Sequence, residues 1–320
     1  MYKPTLKDVL DARKRIQPYL AKTPLREYSA LSEAAGCEVY VKHENHQPTC
    51  AFKIRGGINL VSQLSTEEKR LGVITASIGN HGQSIALASK IFGVKAIICV
   101  PRNSNPDKIR SISSFGAEIV EEGSDFEEAK GNAERLANEH GYRYIHSGNE
   151  PHLIAGVGTI GLEMIEDQPA LDAVIVPVGG GSGASGVSTV YKTMSPETRI
   201  IGVQAEEAQS VYLSWRSGML ESTGKSRTFA DGLATRSAFE LPLEIMRENL
   251  DDFVLVSEEE MKTAIRLYVE KAHTISEGAG AASLAAALKI RDKLRGKRVG
   301  VVLSGGNLTM NMLKDILNEK

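Results

Sequence analysis

The stretch "DAVIVPVGGGSGASGVSTVYKTM", Asp172–Met194, carries the architecture of this chain. Its first eight residues (172–179) are apolar and valine-rich, the pattern of a strand buried on both faces. Glycines follow, and then a helical pattern over 183–194. Strand, glycine turn and helix make the repeating unit of a parallel sheet. The same alternation runs in both directions from it. Upstream, strands are predicted over 72–77, 95–101, 117–122 and 142–147, with helices over 82–93, 107–116 and 125–141. Downstream, strands are predicted over 199–206 and 297–307. A helix over 257–273 is capped by Ser257 with acids in its first turn, and a small-residue helix covers 279–291. The reading is an α/β fold of two parallel-sheet, three-layer domains. A small domain over 51–146 is inserted in a large one formed by 1–50 and 147–320.

The 320 residues are 42% hydrophobic and 24% charged, enough for a large core. A formal net charge of −2 gives no basic surplus and argues against nucleic acid. Three cysteines, Cys37, Cys50 and Cys99, are too few and too widely spaced for a disulfide framework or a zinc site. The first twenty residues read as a charged amphipathic helix rather than a signal peptide, and no apolar run reaches membrane-spanning length. A cytoplasmic protein with no membrane partner and no metal is expected.

Ligands of open α/β sheets collect at the carboxyl ends of strands. Four glycine-bearing loops fall there: "SIGNHG" (77–82), "GGGSGASG" (179–186), "ADGLATR" (230–236) and "SGGN" (304–307). Glycines let backbone approach a ligand, and a following helix offers free N–H groups to an anion, so the second loop suits a phosphate. It also fits G-x-G-x-x-G at Gly181, Gly183 and Gly186, with Glu206 about 20 residues on, as a dinucleotide site requires. A nicotinamide-dependent dehydrogenase is therefore one reading. It leaves "SIGNHG", "SGGN" and Lys53 of "CAFKIRGG" (50–57) without work.

The run "ENHQPTCAFKIRGGINL" (44–60) resembles the lysine region of the serine/threonine dehydratases. These are pyridoxal-phosphate (PLP) enzymes of fold-type II, the tryptophan-synthase-β-like group that includes serine racemase. "SIGNHGQ", "IAGVGTIGLEM" (154–164), "PVGGGSGASG", "FADGLATR" (229–236), "ISEGAGAASLAAAL" (275–288) and "SGGN" follow in the family's order, from about Thr5 to the C-terminus. The resemblance implies that PLP lies in the cleft between the domains and that Lys53 is its Schiff-base lysine. Gly179, Gly180, Gly181, Ser182 and Gly183 would cradle the phosphate, Asn80 would bond the ring hydroxyl, and Ser304 would face the pyridine nitrogen. Phe52 and Gly232 complete the cofactor contacts, and the loop Ser77, Ile78, Gly79, Asn80 and His81 would bind the substrate carboxylate. The implied activity is β-elimination from a β-hydroxy-L-amino acid, giving a 2-oxo acid and ammonia. A homodimer is expected on the same ground. Serine at position 304 cannot hold a proton on the ring nitrogen as an aspartate would, which suits elimination.

Four departures from the family refine this. Cys50 and Ala51 replace Gly-Ser before Phe-Lys, and Cys50 is expected to be a small packing residue. Ile78 stands where serine racemase has a serine acting as second base, so little racemisation is expected. Glu206 matches the first acid of the racemase's divalent-cation site, but the later aspartate position falls near Tyr212, so no metal is expected. Ser147, Gly148 and Asn149 replace a Pro-Phe-Asp of many threonine dehydratases. A larger side-chain pocket follows, for phenylserine, hydroxyaspartate or a hydroxylated diamino acid.

Overall fold

The computed structural model describes residues 2–319. Its strands are β1 (Leu25–Glu27), β2 (Glu38–His43), β3 (Val73–Ala76), β4 (Ala96–Val100), β5 (Glu118–Glu121), β6 (Arg143–Tyr144), β7 (Ala173–Pro177), β8 (Arg199–Ala205), β9 (Asp252–Val256) and β10 (Arg298–Leu303). They form a six-stranded sheet, β1-β2-β10-β7-β8-β9, and a four-stranded sheet, β5-β4-β3-β6. Every neighbouring pair is parallel except β1 with β2, which run antiparallel from Leu25↔Lys42 to Glu27↔Tyr40. The parallel expectation is corrected at that one edge. The central strands β3, β4 and β7 are buried throughout, hence their unbroken apolar runs.

The strand predicted over 142–147 stops at Tyr144. Ile145 still donates to Ile74, but His146 then turns the chain. Its Nδ1 accepts the N–H groups of Gly148 and Asn149, each at 3.0 Å. The N-terminal helix, Leu6–Ile16, is closed by a Thr5–Asp8 capping box. Val9 packs with Leu162 and Val190, whereas Ala12 and Ile16 pack with Ile54 and Ile58.

One helix, Pro151–Asp167, sets the relation between two others. Its glycines permit backbone contact: a Cβ on Gly156 would lie 2.6 Å from the Arg55 carbonyl oxygen, and one on Gly186 would lie 2.6 Å from the Gly158 nitrogen. The helices Lys53–Ser62 and Ser182–Met194 are thus both held against it. Gly186, read above as the last glycine of a dinucleotide fingerprint, serves this close helix packing. Among the described residues no helix is long and apolar enough to cross a membrane.

Candidate active site

Loops at the carboxyl ends of β3, β6, β7 and β10 converge on one cleft of about 740 Å³. Phe52, Lys53, Ser77, Ile78, Gly79, Asn80, His81, Gly179, Gly180, Gly181, Ser182, Gly183, Gly232 and Ser304 all line it. Glu206 does not: it lies at the protein surface, where Lys289 Nζ reaches its carboxylate at 2.8 Å. The ribose-binding role that the glycine fingerprint suggested for it is thereby removed.

Lys53 opens its helix, and its Nζ donates to Ser182 Oγ at 2.8 Å, the first residue of a helix on the facing side. Burial alone lowers the amine to about 8. The ring of Phe52 lies 5.1 Å from Nζ, and the Phe52 N–H donates to the Ser304 carbonyl at 3.0 Å, tying the lysine segment to the end of β10. Ser304 lines the cleft, where its hydroxyl can meet a ligand.

The loop Gly179–Gly181 follows β7 and leads into a thirteen-residue helix. The backbone N–H groups of residues 179–183 have no acceptor among the described residues, at the positive end of the helix. Gly181 takes φ +92°, a left-handed conformation, and a Cβ on Gly179 would stand 2.0 Å from the Gly232 oxygen. Such a ring of unpaired donors fits a phosphate.

In the β3 loop, Ser77 Oγ accepts from Gly79 and Gly82, at 3.2 and 2.9 Å, leaving its proton to donate. The N–H groups of Asn80 and His81 have no acceptor among the described residues, a second anion-binding helix start. His81 is buried, with Nε2 at 3.1 Å from the Thr75 hydroxyl. That hydroxyl donates to the Ile145 carbonyl, so His81 carries its proton on Nε2. Burial, aided by the Lys53 charge, lowers its imidazole to about 3 and keeps it neutral. His146 is lowered to about 4, chiefly by burial and then by the Lys130 charge. With Nδ1 occupied as an acceptor, its Nε2 bears the proton.

Two expectations are altered here. Cys50 is exposed rather than packed, and takes φ +52°. The space beside Gly148 is not open: the Phe239 ring fills it, so close that a Cβ on Gly148 would lie 2.3 Å from Phe239 Cδ2. Phe239 also stacks edge-on to His146 at 4.6 Å and lines the cleft.

The sequence reading missed Glu277, Asn307, His146 and Phe239, all of which line the cleft. Glu277 Oε1 accepts from Asn80 Nδ2 at 2.7 Å, and burial raises its carboxyl to about 7. A lone acid ahead of a small-residue helix, in "ISEGAGAAS", is the signal that could have marked it.

A lysine amine opposite an unpaired glycine-loop cradle, between two α/β sheets, defines a site for a phosphate-bearing aldehyde. The chain belongs to the pyridoxal-phosphate-dependent enzymes: the family model "Pyridoxal-phosphate dependent enzyme" matches residues 16–305. Its cofactor is therefore PLP, and the unpaired donors and the amine described above fit it. Among its relatives, L-threonine ammonia-lyase of Thermotoga maritima is 44% identical over 98% of this chain and 78% of that protein. L-threo-3-hydroxyaspartate ammonia-lyase of Saccharomyces cerevisiae is 37% identical over 100% of this chain and 98% of that one. The structure of maize serine racemase superposes with TM-score 0.94 at 31% identity, covering 99% of this chain and 97% of that one. The family and the fold leave the nicotinamide reading without support.

Proposed function

We propose that this protein is an ammonia-lyase that eliminates the β-hydroxyl of a β-hydroxy-L-amino acid to give a 2-oxo acid and ammonia. The observation that carries the reading is the Lys53 amine, held at 2.8 Å from Ser182 and lowered to about 8, in a cleft also lined by Ile78, which has no exchangeable proton. PLP, when bound, supplies an aldehyde for the substrate amine and an electron-withdrawing ring that acidifies the α-carbon.

The chain's own residues then divide the work. Lys53, once released, takes the α-proton, and its lowered basicity leaves it neutral often enough at neutral pH to do so. The N–H groups of residues 179–183 hold the phosphate, and those of Asn80 and His81, with the Ser77 hydroxyl, hold the substrate carboxylate. Ser304 offers the ring nitrogen a hydroxyl rather than a carboxylate. Fixing both partners in one frame lowers the barrier by proximity. Relatives named for threonine and for hydroxyaspartate support a β-hydroxy substrate. The neutral His146, which lines the cleft beside Phe239, favours one with a polar side chain. A homodimer, on the resemblance, and a cytoplasmic location, on the cysteine usage, belong to the same reading.

The test is 2-oxo acid release from L-threonine, L-serine, L-threo-3-hydroxyaspartate and phenylserine, with D-serine assayed beside pyruvate. Elimination without matching D-serine is expected. D-serine formed from L-serine as fast as pyruvate would replace this reading with a racemase, the activity named for the maize structure.

A further inference from the structure

Asn80 is an amide, and an amide can face a ligand with either end. Here its orientation is dictated from behind. Asn307 Nδ2 donates to the Thr49 carbonyl at 2.9 Å, a fixed acceptor, which sets the Asn307 amide. The same Nδ2 donates to Asn80 Oδ1 at 2.7 Å, and Asn80 Nδ2 donates to Glu277 Oε1 at 2.7 Å. The Asn80 oxygen is therefore taken, and one of its two N–H protons is left for the cleft.

Glu277 is held just as firmly. Its N–H donates to the Gly305 carbonyl at 3.0 Å, and a Cβ on Gly305 would lie 2.4 Å from Oε1, so only glycine leaves room for the carboxyl. No cation forms an ion pair with it among the described residues; the nearby Lys108 pairs with Asp231 instead. An acid enclosed without an ion-pair partner, bonded only by the Asn80 amide and the Asn307 backbone, has a cost that structure alone does not repay.

We propose that Glu277 is a positioning residue for the cofactor ring: together with Asn307 it fixes Asn80 as a hydrogen-bond donor into the cleft. A donor, not an acceptor, is what an ionised ring hydroxyl requires. The inference rests on the proposed function and on Asn80 bonding the ring hydroxyl, as the family resemblance implies.

The experiment measures PLP affinity of the apoenzyme by absorbance titration for the wild type, N80A, E277A, E277Q and N80A/E277A, with a thermal melt of each. E277A is expected to weaken PLP binding about tenfold, the loss of the hydrogen bond that orients Asn80. E277Q, whose amide oxygen can still accept, stays within about threefold of the wild type. In the N80A background E277A should change nothing, because it acts through Asn80. E277M, which fills the space without an equivalent acceptor, makes the same prediction as E277A if the alanine variant does not fold. An equal effect of E277A with and without Asn80, or no effect at all, overturns the inference. If N80A itself binds PLP like the wild type, the role of Asn80 at the ring fails and the inference with it. If N80A weakens binding and E277A does not, only the inference fails.

Discussion

Arg55 grips Glu44 through two parallel bonds, Nε to Oε2 at 2.7 Å and Nη2 to Oε1 at 2.8 Å, two residues after Lys53 on the same helix. Both side chains are at most 1% exposed. Arg55 also donates to Glu163 at 2.7 and 2.8 Å, and Lys42 Nζ reaches Glu163 at 2.5 Å, so two cations and two carboxylates neutralise one another inside the fold. Glu44 lies after β2 and Glu163 on the helix Pro151–Asp167. The cluster therefore anchors the lysine-bearing helix to the large sheet and to the helix that supports the glycine loop.

Removing Arg55 leaves two enclosed carboxylates facing Lys42 alone. R55M is expected to lose about 3–5 kcal/mol in urea unfolding. R55K, with a point charge in place of a fork, should lose somewhat less. Burial by itself pushes the Glu44 carboxyl up, but the Arg55 charge and bonds, with help from Lys42, hold it below its ordinary 4.5. A depressed acid contributes stability above its unfolded value and loses it as pH falls through the lower folded value. The gap between wild type and R55M should thus be full above about pH 5 and narrow in acid. Equal unfolding midpoints at pH 7 would sink the idea.

Lys53 yields a kinetic prediction. With its amine at about 8, capture of PLP by the apoenzyme should quicken about tenfold per pH unit up to roughly pH 8 and then level. A solvated lysine would keep accelerating toward its ordinary 10.5. Stopped-flow absorbance from pH 6 to 9.5 distinguishes the two. Borohydride should fix the cofactor on Lys53 in the wild type, and nowhere in K53A.

What the sequence made legible depended on how local each signal was. The fully buried strands β3, β4 and β7 read directly, because a strand covered on both faces has no polar interruption. β2 did not, because buried Lys42 breaks its apolar pattern, and the partner that explains the lysine, Glu163, is 121 residues away. β9, with half-buried positions, carries a weaker signal. Glycine loops at strand ends marked the cleft. Glu277 and Asn307 stand at marked places, ahead of the small-residue helix and at the end of "SGGN", but their bonds to Asn80, across 197 and 227 positions, leave no local sign. Phe239 escaped for the same reason: it fills space beside Gly148, across 91 positions.

Phe239 makes specificity testable. It backs onto Gly148 and Gly180 and stands edge-on to His146. F239A should open the side-chain pocket and raise the ratio of kcat/KM for phenylserine over threonine by about tenfold or more, the value of a ring's worth of apolar space partly offset by a wetter site. G148A should act oppositely, because the new methyl group pushes the Phe239 ring into the cleft and raises KM for the larger substrate. An unchanged ratio in both variants would show that the substrate side chain lies elsewhere.

Cys50 carries backbone strain, as do Asn103 and His273 among the described residues. Its φ of +52° lies in the left-handed region, which costs a residue with a side chain about 1–2 kcal/mol. The conformation is held from both sides: the Cys50 N–H donates to the Gln47 carbonyl at 2.7 Å, and its own carbonyl accepts from Gly306 at 2.8 Å. The second bond, with the Ala51↔Gly305 bridge, ties the segment before Lys53 to the end of β10, so the turn cannot relax without loosening the lysine. The side chain is exposed. C50G should therefore stabilise the protein by about 0.5–1 kcal/mol, the strain relieved less the entropy glycine adds to the unfolded chain. C50A, which keeps the Cβ and removes only the thiol, should stay within about 0.5 kcal/mol of the wild type. Urea midpoints of the three proteins decide it. A C50G variant less stable than C50A would mean that the thiol or its Cβ supports the turn instead of straining it.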